Sequence, residues 1–166
     1  IITLKLAGIS SPGMGDAFSS NNLMLQYSFE AVAVGNPGDA NRKISYYLLF
    51  DNVINQKITA KNPVDDHWFK YSPTTEVTLV LGDDSQTLSQ DYHSGQSGDD
   101  FIGVHAYEEV RVPLTEGLMD KILAADKVAF NLSSDDKDAN KSFIMDSKFK
   151  DVLKAFVYRI KELKGN

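Results

Sequence analysis

The chain contains no cysteine among its 166 residues, which removes disulfide frameworks, thiolate zinc sites, iron–sulfur clusters and thiol nucleophiles together. Nor has it an excess of positive charge. Seventeen basic against 23 acidic side chains leave a net charge of −6, a balance that opposes general attraction to nucleic acid or to anionic lipid. The longest apolar runs, such as Tyr46 to Phe50 and Val77 to Leu81, fall far short of the ~18 residues that suggest a membrane-spanning helix. No P-loop, dinucleotide fingerprint or His-Glu-x-x-His pattern occurs, so nucleotide chemistry has no support and no cofactor is expected. Nucleic-acid partners and a membrane span are therefore not expected either.

What remains is ample for a core: 42% of residues are hydrophobic, with nine Phe, seven Tyr and one Trp, a composition far from that of disordered chains. The length fits a single domain over 1–166, with a loop-rich N-terminal segment at 8–22 where Gly, Ser, Pro, Asn and Asp collect. The chain opens on Ile1 without a basic stretch leading into an apolar one. It reads as a mature or excised fragment of an exported, periplasmic or extracellular, protein, for which the missing cysteines are a mild argument.

Ile1 to Leu6 alternates weakly and is expected to form an edge strand. Leu23 to Val34 alternates as a long strand, Gly35-Asn36-Pro37-Gly38-Asp39 supplies turn chemistry, and Lys43 to Ile58 returns, giving a long hairpin with an irregularity over Asn52 to Gln56. Glu76 to Leu81 is a strand, Gly82-Asp83-Asp84 a turn, Gln86 to His93 a returning strand, and Ser94 to Asp100 a polar loop. Phe101 to Val112 alternates cleanly. It puts His105, Tyr107, Glu109 and Arg111 on one face, and Glu108 breaks the apolar run of the other.

Pro113 to Asp126 spaces Leu114, Leu118, Ile122 and Ala125 as a helical stripe with Thr115 as a cap. Lys127 to Leu132 and Ser142 to Met145 form a hairpin about a polar tip. Phe149, Leu153, Phe156, Ile160 and Leu163 then mark a second amphipathic helix, capped by Asp146 or Ser147. The order predicts an α+β domain: a twisted antiparallel sheet with two C-terminal-half helices packed on one face. The Val112-Pro113-Leu114-Thr115 helix start, the Ala124-Ala125-Asp126-Lys127-Val128 run before a strand and the amphipathic last helix resemble small exported bacterial domains of unknown function, some with a TBP-like helix-on-sheet fold. The resemblance covers roughly the last 90 residues and implies a fold but no activity or site residues.

Between Tyr71 and Val110 stand eight acids and no Lys or Arg, whereas residues 142–166 hold six bases against three acids. Converging carboxylates would suit a hard cation such as Ca²⁺, which makes Asp83, Asp84, Asp99 and Asp100 candidate metal ligands. Tyr92, Asp99 and Asp100 are candidate partner contacts. The plainer account is a set of acidic loops solvating a sheet. Asp136-Lys137-Asp138-Ala139-Asn140 opens like an EF-hand loop, but Lys141 takes the place of the required glycine and Ser147 that of the closing acid. Gly95-Gln96-Ser97-Gly98 imitates a nucleophile elbow, with Asp99 where the last glycine belongs.

Trp68, Phe69, Tyr71, Tyr92 and Tyr107 can line a groove or simply pack. His67, His93 and His105, the only histidines, are spaced by 26 and 12 residues, which matches no local zinc signature. The leading expectation is a non-enzymatic binding or interaction domain that presents residues 82–100 to a protein partner or small ligand. The alternatives are a metal-assisted hydrolase built on those histidines with nearby Asp residues, and a structural subunit assembling through a sheet edge such as Ile1 to Leu6.

Overall fold

The computed structural model describes residues 1–7, 23–36, 41–54, 69–99, 103–135 and 140–163. Among these residues the elements run β1 Ile2–Ala7, β2 Leu23–Val34, β3 Lys43–Ile54, β4 Glu76–Leu81, β5 Asp84–Leu88, β6 Asp91–Asp99, β7 Gly103–Leu114, α1 Glu116–Ala124, β8 Val128–Ser133, β9 Lys141–Ile144 and α2 Ser147–Leu163. The fold is α+β, with both helices in the C-terminal half, and every strand pair is antiparallel.

The strands do not form the one sheet that the sequence led us to expect. They divide into a five-stranded sheet, β1-β2-β3-β7-β6, and a four-stranded sheet, β5-β4-β8-β9. The division falls at Ser89-Gln90, where a single strand was expected over Gln86 to His93. The Gln90 side chain donates to the carbonyls of Pro73 (2.9 Å) and Thr75 (3.1 Å), which holds the crossover as the chain passes from β5 into β6. Alternation of side chains tells which face of a strand is buried, and carries no information on which strands pair.

The long hairpin forms, with β2 and β3 in register from Leu23↔Ile54 to Val34↔Lys43. Residues 37–40 of its turn lie outside the described residues, and of the irregularity expected over Asn52 to Gln56 the described residues 52–54 pair regularly. Gly35 opens the turn at φ 126°, a conformation that only glycine adopts without strain. The β4–β5 connection is a two-residue loop, Gly82-Asp83, with Gly82 at φ 62°.

The core lies between the sheets and beneath the helices. Tyr27, Phe29, Leu48, Phe50, Val110 and Val112 from the five-stranded sheet meet Val77, Leu79, Phe130 and Phe143 from the other, and Met119, Ile122, Leu153, Val157 and Ile160 from the helices complete the cluster. Phe130 is its hub, with ring centroids 5.9–6.2 Å from Tyr27, Phe29 and Phe50. Burying each such aromatic contributes about 1.5–3 kcal/mol. Burial, reinforced by Asp146, pushes the Tyr27 phenol up to about 12; burial, reinforced by Glu116 and Asp120 of α1, does the same to Tyr46.

The first helix starts later than its apolar spacing suggested, because Pro113 and Leu114 still belong to β7. Proline is tolerated there since β6 pairs with β7 only up to Arg111, so no strand on that side awaits the missing N–H. Thr115 caps α1, its hydroxyl accepting from the Leu118 amide at 3.1 Å. Asp146 caps α2 by accepting from the Phe149 amide at 2.7 Å. No described helix is long and apolar enough to cross a membrane.

Candidate interaction surface

A sheet edge exposes unpaired backbone N–H and C=O groups, and proteins ordinarily blunt it with charge, proline, glycine, bulges or brevity. Among the described strands four are edges: β1 and β6 in one sheet, β5 and β9 in the other. The last two are guarded in familiar ways, since Asp84, Ser85, Gln86 and Thr87 of β5 are all exposed polar residues and β9 has only four residues, led by Lys141. On β6, exposed Asp91 and His93 are joined by Gly95 and Gly98. β1 reads Ile-Thr-Leu-Lys-Leu-Ala, with no proline, no glycine and one charge.

That one charge is drawn inward. Lys5 Nζ reaches over β2 to Asp51 Oδ2 on β3, at 2.8 Å. Asp51 is buried and lies in register with Glu109 of β7, which in turn faces His93 of β6. Burial pushes the Glu109 carboxyl above its ordinary value of 4.5; Asp51 adds to this through its charge and a hydrogen bond, while Arg111 and Lys5 oppose it. Arg111 pairs with Glu30 and stands 3.8 Å from Glu109, its guanidinium 3.9 Å from the centroid of the Tyr47 ring. Lys5, Glu30, Asp51, Glu109 and Arg111 thus form one network on the face away from the core. With its members partly exposed, each pair contributes only about 0–1 kcal/mol, and the cation–π contact about 0.5–1 kcal/mol. The network's larger effect is geometric, because it holds the sole charged side chain of β1 away from the strand's open side.

On the core face, Glu108 does different work from its neighbour Glu109. It is 1% exposed and accepts from Asn52 Nδ2 (2.5 Å), the Lys70 amide (2.7 Å), the Tyr71 amide (2.9 Å) and Tyr92 Oη (3.3 Å). The apparent break in the apolar face of β7 is therefore an acceptor that fastens the segment at Lys70 and Tyr71, and edge strand β6, to the sheet. Burial and then the Glu108 charge raise the Tyr71 phenol. Burial chiefly raises that of Tyr92, against a hydrogen bond from Ser94 that lowers it.

The residues singled out from sequence fall in several places. Asp83 and Asp84 are exposed at the β4–β5 turn of the four-stranded sheet, while Asp99 ends β6 in the five-stranded one. Asp100 lies outside the described residues, as do His67, Trp68 and residues 136–139 of the EF-hand-like run. Tyr92 is half-buried and turned to Glu108. His93 is exposed opposite Glu109, and His105 is paired with Ser97 four positions along β6, about 13 Å away at strand spacing. Among the described residues no group of three or more His, Asp or Glu is placed to hold a metal.

Ser94 to Asp100 was expected to be loop, yet residues through Asp99 are strand, because β7 satisfies their backbone and Tyr107 covers the glycine. A Cβ added to Gly95 would lie 2.6 Å from Tyr107 Oη. This also separates Gly95-Gln96-Ser97-Gly98 from a nucleophile elbow, which needs a strand-to-helix turn. Phe69 is half-buried and Tyr71 buried, whereas Tyr107 projects from the opposite face. The Lys5–Asp51 bridge is not foreseeable from the sequence. Its only trace was a lone charge in each of two otherwise apolar stretches. Comparison with family models, curated proteins and solved structures returns no match.

Proposed function

We propose that this chain is an exported, non-enzymatic interaction domain that binds an extended partner strand along β1. The observation that carries this reading is the contrast among the edges: β5, β6 and β9 are each blunted, and β1 has a single lysine held to Asp51 at 2.8 Å. An open edge offers main-chain hydrogen bonds for affinity and alternate side-chain positions for selectivity. Exposed Ile1 and Val34 add apolar surface at the same margin. The lack of cysteine makes such a domain indifferent to an oxidising compartment.

The test is selection of displayed linear peptides on the folded protein, followed by mapping of the backbone amides that the selected peptides perturb. Extended peptides perturbing residues 2–7 are expected. Selection of peptides that instead perturb the turn at Asp83 and Asp84, or of none at all, would contradict the reading.

A further inference from the structure

Resting on the reading of β1 as an open edge, we propose that its partner strand is β1 of a second copy, paired antiparallel about a two-fold axis through Leu4. The two five-stranded sheets then join into one ten-stranded sheet. Parity sets the first constraint. Side chains alternate between faces with period two, so two strands merge into one sheet with matching faces only if opposed residue numbers sum to an even value. Around Leu4 the strand reads apolar, polar, apolar, polar, apolar from Ile2 to Leu6. That pattern is unchanged by reversal, as a two-fold self-pairing requires.

Charge selects among the even registers. A sum of ten would set Lys5 directly against the second copy's Lys5, which is unfavourable for like charges on opposed strands. A sum of six opposes Thr3 to Thr3 but leaves Lys5, Leu6 and Ala7 without partners in β1. A sum of eight opposes Ile2 to Leu6, Thr3 to Lys5 and Leu4 to itself, leaves only Ala7 without a partner in β1, and keeps the two lysines on a diagonal. In that register the Lys5–Asp51 bridge has a direct consequence, since it draws each lysine toward its own β3 and away from the seam. The apolar side chains of Ile2, Leu4 and Leu6, which border the core face of each sheet, line up across it.

Sedimentation equilibrium over a range of micromolar to millimolar protein tests this with three proteins: the natural chain, Thr3→Lys and Thr3→Glu. Thr3 is exposed, so neither substitution touches the core, and circular dichroism verifies that each variant folds. The natural chain should dimerise reversibly. T3K sets two lysine pairs against each other across the seam and should raise the dissociation constant on the order of tenfold, while T3E sets two Glu–Lys pairs there and should lower it. Equal association of all three proteins would overturn the register, and a monomer at every concentration would overturn self-pairing. Selected peptides that bind β1 of a strictly monomeric chain would overturn the second copy as partner while leaving the open edge intact. Peptides that bind elsewhere would remove the open edge itself.

Discussion

At one margin of the five-stranded sheet, β6 meets solvent with Asp91, His93 and two glycines and is fastened inward by Tyr92 on the buried Glu108. At the other margin, β1 presents a clean apolar-polar alternation and is fastened by Lys5 on Asp51. Both edges are tied to the sheet by one side chain crossing to a carboxylate, yet the ties have opposite results. On β6 the tie uses a residue of the core face and leaves the guarding charges outside. On β1 it consumes the only guarding charge. Whether an edge is open therefore depends on where its charges are engaged as much as on how many it has.

The strongest perturbation of this comparison is at Glu108. Glu108→Gln keeps the shape but turns one acceptor atom into a donor facing N–H and O–H groups, so it should cost about 2–4 kcal/mol in urea unfolding. It should also loosen the amide of Tyr71 and edge strand β6. Retention of full stability would mean that Glu108 is not the fastening. Next comes Gly95→Ala, where the new methyl meets the ring of Tyr107 on the cross-strand neighbour. Because that ring is half-exposed and can swing away, the expected loss is about 1 kcal/mol, and most of it should vanish in a Tyr107→Ala background.

Asp51→Asn addresses the opposite margin. Removing the bridge should change monomer stability by less than about 1 kcal/mol but release Lys5 to guard the edge, so self-association should weaken several-fold by sedimentation. An unchanged dissociation constant would separate the bridge from the edge. The smallest effect concerns Glu109. Its carboxyl is raised in the folded state, so over the window between the ordinary value of 4.5 and its raised one the folded chain binds more protons than the unfolded chain. Its contribution to stability therefore improves as pH falls through that window and is lost as pH rises. Glu109→Gln should flatten this part of the stability profile, and a profile identical to that of the natural chain would rule out Glu109 as its source.

Much of the architecture was legible before the structure. The edge position of β1, the β2–β3 hairpin with Gly35 at its turn, the Thr115 and Asp146 caps, the existence of both helices and the burial of Leu153 and Ile160 on α2 each rest on local chemistry that spacing reports. Of the stripe expected on α1, only Leu118 and Ile122 lie within the helix. The division into two sheets was not legible, because it falls at Ser89 and Gln90, where the Gln90 side chain is held by the carbonyls of Pro73 and Thr75, 17 and 15 positions away in the sequence. β6 was hidden for a related reason. A Ser/Gly-rich stretch has no strand signature of its own, and it becomes a strand only when β7 and Tyr107 stand beside it.

The charged network was illegible because Lys5, Glu30, Asp51 and Arg111 come from four strands separated by up to 106 positions, and register, not sequence distance, brings them together. The dense acids of residues 71–110 pointed toward Asp83, Asp84, Asp99 and Asp100; the topology puts Asp83 and Asp84 in one sheet and Asp99 in the other, and Asp100 lies outside the described residues. The informative charges were the sparse ones in apolar strands, where each isolated charge must find a partner or face water.

The most direct measurement is backbone amide hydrogen exchange followed residue by residue at low and high protein concentration. Outward-facing amides within residues 2–6 should gain protection as concentration rises, while those of residues 91–95 on β6 exchange at the same rate throughout. Protection of β1 that is independent of concentration, or a concentration-dependent gain confined to β6, would contradict self-pairing along β1.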